Sequence, residues 1–357
     1  MKTNLKVLLI TIVICILVVE TLGSLFFIKK KTESYFYNSR FMLFDEGNVF
    51  LNIGDIFKYH PNKNIKSEVY YHMNSSFVKE YSYNLKTNNF GLVQNNNLIK
   101  PKKSILFLGA SFAEGQGADA WVNYFGGNYN NYQIINGGIL GTGPEQAYLL
   151  EKHISENFDI HKVVYLYVPQ EFGREVWNFK NEVIRCLYDS KNCKGNELFF
   201  GFNYNGKEKV KDFLKRLQIK KKHKQNNLLE KISISINSSL KQSFIINSLT
   251  EVRYNFFHPD KKKIKNNLKF MNKLIDKYDD DLIIIKMSSK NEIIAGSNLM
   301  DKLVKKELAN INYKNEIYEC EFNNDINLFY QFDGHPNEIG YKYLYNCVNE
   351  ILNNLKL

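Results

Sequence analysis

The sequence predicts an α/β protein built on a mostly parallel central sheet. Short, continuous apolar runs have the form of buried parallel strands, and they occur at residues 104–108, 132–136, 162–168 and 282–287. Helical patterns lie between or after them, at residues 145–158, 266–278, 300–308 and 337–355. Strands that alternate with helices in this way form a parallel sheet with right-handed crossovers. Asn337, after Pro336, is the expected N-cap of the last helix, which should bury one apolar face. That face consists of Leu344, Val348, Ile351, Leu352 and Leu355.

Composition narrows the class of protein. The 357 residues suit one catalytic domain with an anchor and an additional module. Hydrophobic residues at 44% and charged residues at 24% exclude global disorder and a polytopic membrane protein. The net charge of +11 favours anionic partners such as lipid head groups, acidic glycans or nucleic acid. Nucleic acid is not expected as a partner, because the chain lacks zinc-finger spacing and a basic-aromatic RNA-binding motif.

The first residues predict a membrane anchor. The run at residues 7–28, VLLITIVICILVVETLGSLFFI, is long enough to span a bilayer, since about 20 apolar residues suffice. It continues past Gly23 and Ser24, so residues 1–31 predict an uncleaved signal-anchor. The lysines at 29–31, taken alone, would place the residues after the span in the cytoplasm. We nevertheless expect the large domain outside the cytoplasm. Glu20 either snorkels to the interface or contacts a partner membrane helix.

Two further regions differ in pattern from the predicted sheet. Residues 32–100 predict a small β-rich extension, because polar and aromatic residues alternate at 68–71 and 80–83. Residues 101–357 form the predicted catalytic domain, with an insertion at about 172–265 that is partly helical at 207–220. Basic runs at 220–224 and 261–263 are either solvated faces or part of a groove for an acidic polymer or a membrane surface.

The five cysteines are too few for a disulfide scaffold. In an oxidising compartment Cys186 and Cys193 could close a small loop. Cys320 and Cys347 either pair in the same way or are core residues. Cys15 lies in the predicted span and is not expected to pair.

Ser111 is the candidate nucleophile. It follows Gly109 and Ala110 at a strand-to-helix turn, on the sheet edge where open α/β folds bind ligands. The free N–H groups of the following helix favour a developing oxyanion there. The alternative is that Ser111 is only a helix N-cap.

The candidate base is His335, in the segment FDGHPN at residues 332–337. Among seven histidines, it alone lies beside an aspartate and directly before a helix on the last crossover. Asp333, two residues earlier, could orient the imidazole and stabilise its cation. The alternative is a turn in which aspartate and glycine are turn formers and the histidine has no role.

Two more strand ends offer hydrogen-bond donors. The loop NGGILGTG at residues 136–143 follows the second strand, and its glycines allow a backbone N–H to approach a substrate oxygen. Gln170 ends the third strand and offers a side-chain amide.

The order of these segments resembles the GDSL/SGNH family of serine esterases and acyltransferases. Residues 109–111 resemble its first block, Gly141 in its loop the second, Gln170 the third and residues 333–337 the last. Trp121 and the segment NNFG at 88–91 resemble membrane-anchored members. Two positions depart from the family pattern: Ala110 stands where aspartate is usual, and Gln170 stands where asparagine is usual.

The resemblance implies a fold and a mechanism. The fold is a three-layer α/β/α sandwich of the SGNH or flavodoxin-like type. Ser111 attacks an ester carbonyl, His335 transfers the proton and Asp333 orients His335. The N–H groups of Ser111 and Gly141 and the Gln170 amide hold the oxyanion. No metal and no organic cofactor is expected.

Three functions remain open at this point. The first is an esterase that deacylates a cell-envelope carbohydrate, and the second is an acyltransferase of the same fold acting on an envelope glycan. The third is an inactive glycan-binding scaffold. We expect a single-pass protein of the bacterial inner membrane, held by residues 7–28 and facing the periplasm or cell exterior, with a membrane-protein partner possible. Nucleotide binding is rejected, because no GxxxxGK[ST] is present and the loop at 137–143 lacks Rossmann spacing.

Overall fold

The computed structural model describes most of the chain outside the predicted insertion. The described residues are 2–26, 37–45, 49–53, 56–73, 76–129, 131–174, 200–203, 245, 261–295, 299–311 and 313–356. The chain divides into two compact units, Met1–Phe36 with Lys211–Pro259 and Tyr37–Val210 with Asp260–Leu357. Several predictions for the insertion lie outside the described residues, namely the helix at 207–220, the basic run at 220–224, and Cys186 and Cys193.

The first unit contains helix α1, Lys2–Phe26. The carboxylate of Glu20 accepts a hydrogen bond from the backbone N–H of Ile245 at 3.0 Å, a contact that neither alternative for Glu20 included. In the described parts of the chain, no helix combines the length and the apolar character needed to cross a membrane. The membrane span predicted at residues 7–28, within the signal-anchor of residues 1–31, is therefore not supported.

The second unit contains all the described strands. In chain order they are β1 Tyr37–Phe44, β2 Phe50–Ile53, β3 Ile56–Tyr59, β4 Asn64–Met73, β5 Ser76–Lys86, β6 Ser104–Gly109, β7 Gln133–Gly138, β8 Ile160–Tyr167, β9 Phe200–Asn203, β10 Leu282–Met287 and β11 Ile317–Cys320. Its helices are α2 Ser111–Glu114, α3 Pro144–Ser155, α4 Lys261–Tyr278, α5 Lys290–Ala295, α6 Leu299–Leu308 and α7 Glu338–Asn354.

Residues 37–86 form β hairpins. Strand β4 pairs with β5 on one side and with β1 on the other, and both pairings are antiparallel. Strand β9 adds to the free edge of β1 in parallel, giving the order β5-β4-β1-β9. In β4 the side chains of Ile65, Val69 and Tyr71 are buried and alternate with more exposed neighbours. This period of two is what a sheet with one covered face requires.

The central sheet is parallel throughout its five strands, in the order β11-β10-β8-β6-β7. Every residue of β6 is buried, because helices cover both faces of the sheet. Ile105 and Phe107 point to the face that packs against α7, while Leu106 and Leu108 point to the face covered by α3 and α4. The predicted α/β class with a mostly parallel central sheet is confirmed.

The predicted secondary structure agrees closely with the observed elements. The four predicted strands are β6, β7, β8 and β10, and the four predicted helices are α3, α4, α6 and α7. Asn337 caps α7, its side chain accepting from the Gly340 N–H at 3.1 Å. Leu344, Val348 and Leu352 are fully buried on one face, as predicted. Leu355 is 41% exposed, because it lies beyond the last helical residue.

Strand β11 was not predicted. Its four residues, Ile-Tyr-Glu-Cys, form an edge strand that pairs only with β10 within the described sheet. Only its last residue is buried, and it lacks the continuous apolar run that identified the other four strands, including β7 at the opposite edge.

Cys320, at the end of β11, forms a disulfide with Cys347 in α7, with 6.0 Å between the two Cα atoms and a sequence separation of 27. We expect the Cys320→Ala/Cys347→Ala variant to lose about 3.5 kcal/mol of unfolding free energy, since opening a loop of this size restores entropy to the unfolded chain. Urea unfolding of both proteins measures the difference. Cys15→Ala, which changes an exposed free cysteine, is the matched control. Equal urea midpoints for the double variant and the control would contradict the expected stabilisation.

Candidate active site

The candidate nucleophile lies at the carboxyl end of β6, where the chain turns into the short helix α2. Gly109 ends the strand at φ +151°, and a Cβ there would lie 2.4 Å from the carbonyl oxygen of Leu166, so the turn requires glycine. Ala110 occupies the N-cap position and Ser111 is the first helical residue. The Ser111 hydroxyl therefore does not cap the helix, and the N-cap alternative is wrong.

Ser111, His335 and Asp333 form a continuous hydrogen-bonded row. His335 Nε2 lies 2.8 Å from Ser111 Oγ, and His335 Nδ1 lies 2.6 Å from Asp333 Oδ1. Ser111 and Asp333 are each 3% exposed, and the Phe112 ring packs on the imidazole with 5.3 Å between centroids. A hydroxyl facing an imidazole whose other nitrogen faces a carboxylate is the arrangement needed for general-base activation.

The segment that carries His335 is fixed at both ends. Phe329 and Pro336 form an antiparallel bridge, and the Tyr330 N–H donates to the His335 carbonyl at 3.1 Å. The Asn337 N–H donates to the Leu328 carbonyl at 2.9 Å just before α7 begins. These bonds fix the backbone of the segment that carries the imidazole, and the catalytic role of His335 stays a prediction.

The glycine loop after β7 packs directly against α2. A Cβ on Gly138 would lie 2.2 Å from the backbone nitrogen of Glu114, so the approach requires glycine. Asn136 Oδ1 accepts from the Gly138 N–H at 3.0 Å, and the Leu140 N–H donates to Glu114 Oε2 at 2.6 Å. Gly141 follows with φ +74°. The loop is thus held close to Ser111, and the oxyanion role of the Gly141 N–H stays a prediction.

Glu114 is fully buried and connects three elements. Besides Leu140, the Tyr59 hydroxyl in β3 contacts both carboxylate oxygens at 3.1 Å. Burial raises the pKa of Glu114 to about 8, while the hydrogen bonds from Leu140 and Tyr59 act in the opposite direction. The side chain therefore carries its proton at neutral pH and ties the glycine loop to the β hairpins.

Arg174 supports the other end of the glycine loop. Arg174 donates from its guanidinium to the Thr142 carbonyl at 2.8 Å. Burial raises the pKa of nearby Glu171 to about 8, and Arg174 opposes that rise. Asn267 in α4 donates to the Arg174 carbonyl at 2.7 Å, which fixes this segment to the helix layer.

Gln170 lies in the one-turn helix Pro169–Gly173 that follows β8, beside the end of β6. Its Nε2 donates to Ser289 Oγ at 3.2 Å rather than to Ser111. Its Oε1 is buried and has no hydrogen-bond partner among the described residues. If the amide is rotated by 180°, Oε1 can accept from the Ser289 hydroxyl. Nε2 then takes the buried position at which Oε1 lacks a hydrogen-bond partner. The oxyanion role of Gln170 stays a prediction.

The two remaining motifs have structural roles. Trp121 is fully buried and its indole N–H donates to the Phe112 carbonyl at 2.8 Å, which fixes the residue after Ser111. Asn88 Oδ1 accepts from the N–H groups of Phe90 and Leu92 at 2.9 and 3.0 Å, closing a turn after β5.

Sequence reasoning missed Tyr81 in β5, whose hydroxyl donates to Asp333 Oδ2 at 2.5 Å. It also missed Gln116, whose amide donates to the Tyr81 oxygen at 3.1 Å. Glu114 and Gln116 follow Ser111 by three and five residues. Their polar side chains in a segment of mostly small residues could have marked them as part of the site. Tyr81 had no such signal, because it is 252 residues from Asp333.

In the parts of the chain that the structure describes, no group of three or more His, Cys, Asp or Glu side chains is placed to hold a metal ion. The side chains of Ser111, His335 and Asp333 at the carboxyl edge of the sheet can form hydrogen bonds and transfer protons. The chemistry available to them is nucleophilic attack by a serine with a histidine as base.

No family model and no curated protein matches the chain. Solved structures similar to it include a member of the lipolytic protein G-D-S-L family from Veillonella parvula. That structure is 13% identical, has a TM-score of 0.34, and the match covers 70% of this chain and 97% of the other. A GDSL-like lipase from Bacteroides thetaiotaomicron is 14% identical with a TM-score of 0.32, covering 71% of this chain and 89% of the other.

Proposed function

We propose that the chain is a serine ester hydrolase in which Ser111, His335 and Asp333 are the catalytic residues. The observation that carries this proposal is the unbroken row from Ser111 Oγ through the imidazole to Asp333, with distances of 2.8 and 2.6 Å. These distances allow a proton to pass from the serine to the histidine without rearrangement.

The reaction follows from this arrangement. Ser111 Oγ attacks the ester carbonyl carbon while His335 Nε2 takes its proton, and the carbonyl oxygen becomes an oxyanion. Collapse of the tetrahedral intermediate breaks the bond to the alcohol, which leaves with the proton from His335. Water, deprotonated by His335, then releases the acid from the acyl-enzyme and restores Ser111. The N–H groups of Ser111 and Gly141 and the Gln170 amide are the proposed oxyanion donors.

We propose an O-acyl ester on a cell-envelope carbohydrate as the substrate, in a compartment outside the cytoplasm. The disulfide between Cys320 and Cys347 supports an oxidising compartment. The net charge of +11 supports an anionic polymer as the carrier of the ester.

A fluorophosphonate probe tests the proposed nucleophile. We expect labelling of the wild-type protein and no labelling of Ser111→Ala, because the probe reacts with a serine that has a base beside it. Ser155→Ala, at the carboxyl end of α3, is the matched control and should label like the wild type. Labelling that survives in Ser111→Ala, or folded wild-type protein that does not label, would overturn the proposal and favour a glycan-binding scaffold.

Transfer of the acyl group to a sugar hydroxyl proceeds through the same acyl-enzyme as hydrolysis. The two reactions are distinguished by their products. Turnover of p-nitrophenyl acetate is measured with and without a chito-oligosaccharide acceptor. Release of free acetate in unchanged amount supports the hydrolase, whereas acetylated oligosaccharide formed at the expense of free acetate indicates a transferase.

A further inference from the structure

We propose that Tyr81 is a positioning residue that holds Asp333 for the reaction, so that the β hairpins of residues 37–86 form part of the catalytic apparatus. The proposal rests on the proposed function. Tyr81 lies in β5, and its hydroxyl donates to Asp333 Oδ2 at 2.5 Å. The other carboxylate oxygen, Oδ1, faces His335. Each oxygen of Asp333 therefore has its own donor.

The hydrogen-bonded row extends beyond Asp333. Gln116 Nε2 donates to the Tyr81 oxygen at 3.1 Å, which directs the tyrosine proton away from Gln116 and towards Asp333. Gln116 lies five residues after Ser111, and its N–H donates to the Ser111 carbonyl at 3.0 Å. The row thus begins and ends at the nucleophile turn. Tyr81, Gln116 and Asp333 are 6%, 2% and 3% exposed, so water competes little for these bonds.

Ring packing fixes Tyr81 independently of its hydroxyl. Its ring stacks on that of Tyr330, with 3.9 Å between centroids and 20° between planes. The Tyr330 hydroxyl donates to the Gly117 carbonyl. Gly117 has φ +100°, and a Cβ there would lie 2.7 Å from the Tyr330 ring and 3.2 Å from the Tyr81 ring. A position without a side chain is needed for both rings to fit, so the Tyr81 hydroxyl is held in one place.

The neighbouring residue Glu80 fixes the backbone of the same segment. Its Oε1 accepts from the Phe332 and Asp333 N–H groups at 2.5 and 3.3 Å. Strand β5 therefore holds Asp333 by its backbone through Glu80 and by its carboxylate through Tyr81. Glu80 and Tyr81 are adjacent residues at the point where the register between β4 and β5 shifts, and both act on Asp333.

Other titratable groups also surround Asp333. Glu80 lies on β5, Lys290 on α5, Tyr330 on the same segment and Tyr341 on α7, and each interacts electrostatically with Asp333. All of them are retained when only the Tyr81 hydroxyl is removed. A change in pH dependence on its removal therefore reports on that hydroxyl.

The test is Tyr81→Phe in the full chain, which keeps the stacked ring and removes the hydroxyl. With p-nitrophenyl acetate we expect kcat to fall by about 10- to 100-fold, the value of a hydrogen bond to a charged group, with KM within two-fold. The acid limb of kcat/KM should move to higher pH, because Asp333 without its donor attracts the histidine cation more strongly. Tyr83→Phe, two residues along β5, is the matched control, and neither its kcat nor its acid limb should change.

A structural effect is separated from a positioning effect by two further measurements. Gln116→Met removes the donor to Tyr81 and should lower kcat by less than Tyr81→Phe does. If Tyr81→Phe does not fold, Gln116→Met tests the positioning role of Tyr81 instead. The downfield proton NMR resonance of His335 Nδ1–H should shift in Tyr81→Phe, in free protein without turnover. Kinetics and resonance that match those of Tyr83→Phe would overturn the role of Tyr81. Wild-type protein without turnover or labelling would overturn the proposed function alone, and the resonance would then decide the role of Tyr81.

Discussion

Replacing Asp333 with asparagine is expected to lower kcat for ester hydrolysis by about 10⁴-fold, the loss typical when the carboxylate of a serine triad becomes an amide. The two oxygens of Asp333 accept from His335 Nδ1 and from the Tyr81 hydroxyl. An amide has only one oxygen to offer. If that oxygen faces Tyr81, the amide nitrogen donates to His335 Nδ1 and leaves the imidazole proton on Nε2, which can then no longer accept from Ser111.

The same reasoning predicts that the effects of two substitutions on kcat do not simply combine. In Asp333→Asn/Tyr81→Phe nothing competes with His335 for the amide oxygen, so the correct tautomer is more populated. The loss in kcat should therefore be smaller than the two single losses combined. The measurement is kcat and KM of all four proteins with p-nitrophenyl acetate. Asp325→Asn changes an exposed aspartate of the same carboxyl-terminal segment and should retain kcat. A strictly multiplicative loss would show that Tyr81 does not influence the amide orientation.

The sequence predicted the inner sheet because its strands are covered on both faces. Such strands need continuous apolar runs, and β6 and β10 have them. Once the strands were assigned, Ser111 and the glycine loop followed from a topological rule, since parallel strands end at one edge of the sheet. His335 needed the additional observation of a nearby aspartate before a helix.

The parts that the sequence did not predict depend on contacts between distant segments. Tyr81 reaches Asp333 only because the β5 strand lies beside the carboxyl-terminal segment, and no local pattern records that placement. Glu114 is visible in the sequence as a polar residue near Ser111, but its contact with Tyr59, 55 residues earlier in the chain, is not. The pairing of Cys320 with Cys347 was left open for the same reason, because β11 itself gave no apolar signal.

Replacing Glu114 with glutamine is expected to make the protein less sensitive to alkaline pH. Burial raises the pKa of Glu114 from 4.5 to about 8. Between these two pH values the folded protein keeps a proton that the unfolded chain has lost, so the folded state is destabilised as pH rises. Glu114 accordingly contributes a fall of about 1.4 kcal/mol in unfolding free energy per pH unit across this window. Glu171, also raised to about 8, should contribute a separate fall in the same direction.

Glutamine copies the shape of the protonated carboxyl, and its oxygen can still accept from the Leu140 N–H. We expect wild type and Glu114→Gln to have similar unfolding free energies at pH 4.5, and the variant to be more stable by up to about 5 kcal/mol at pH 8 and above. Urea unfolding at a series of pH values measures the difference. Glu156→Gln, at the exposed carboxyl end of α3, should show a difference from wild type that does not change with pH. A pH-independent difference for Glu114→Gln as well would mean that the carboxyl is ionised throughout. The glycine loop beside Ser111 would then be held by a charge, so the pH series also decides which form of Glu114 supports the proposed oxyanion site.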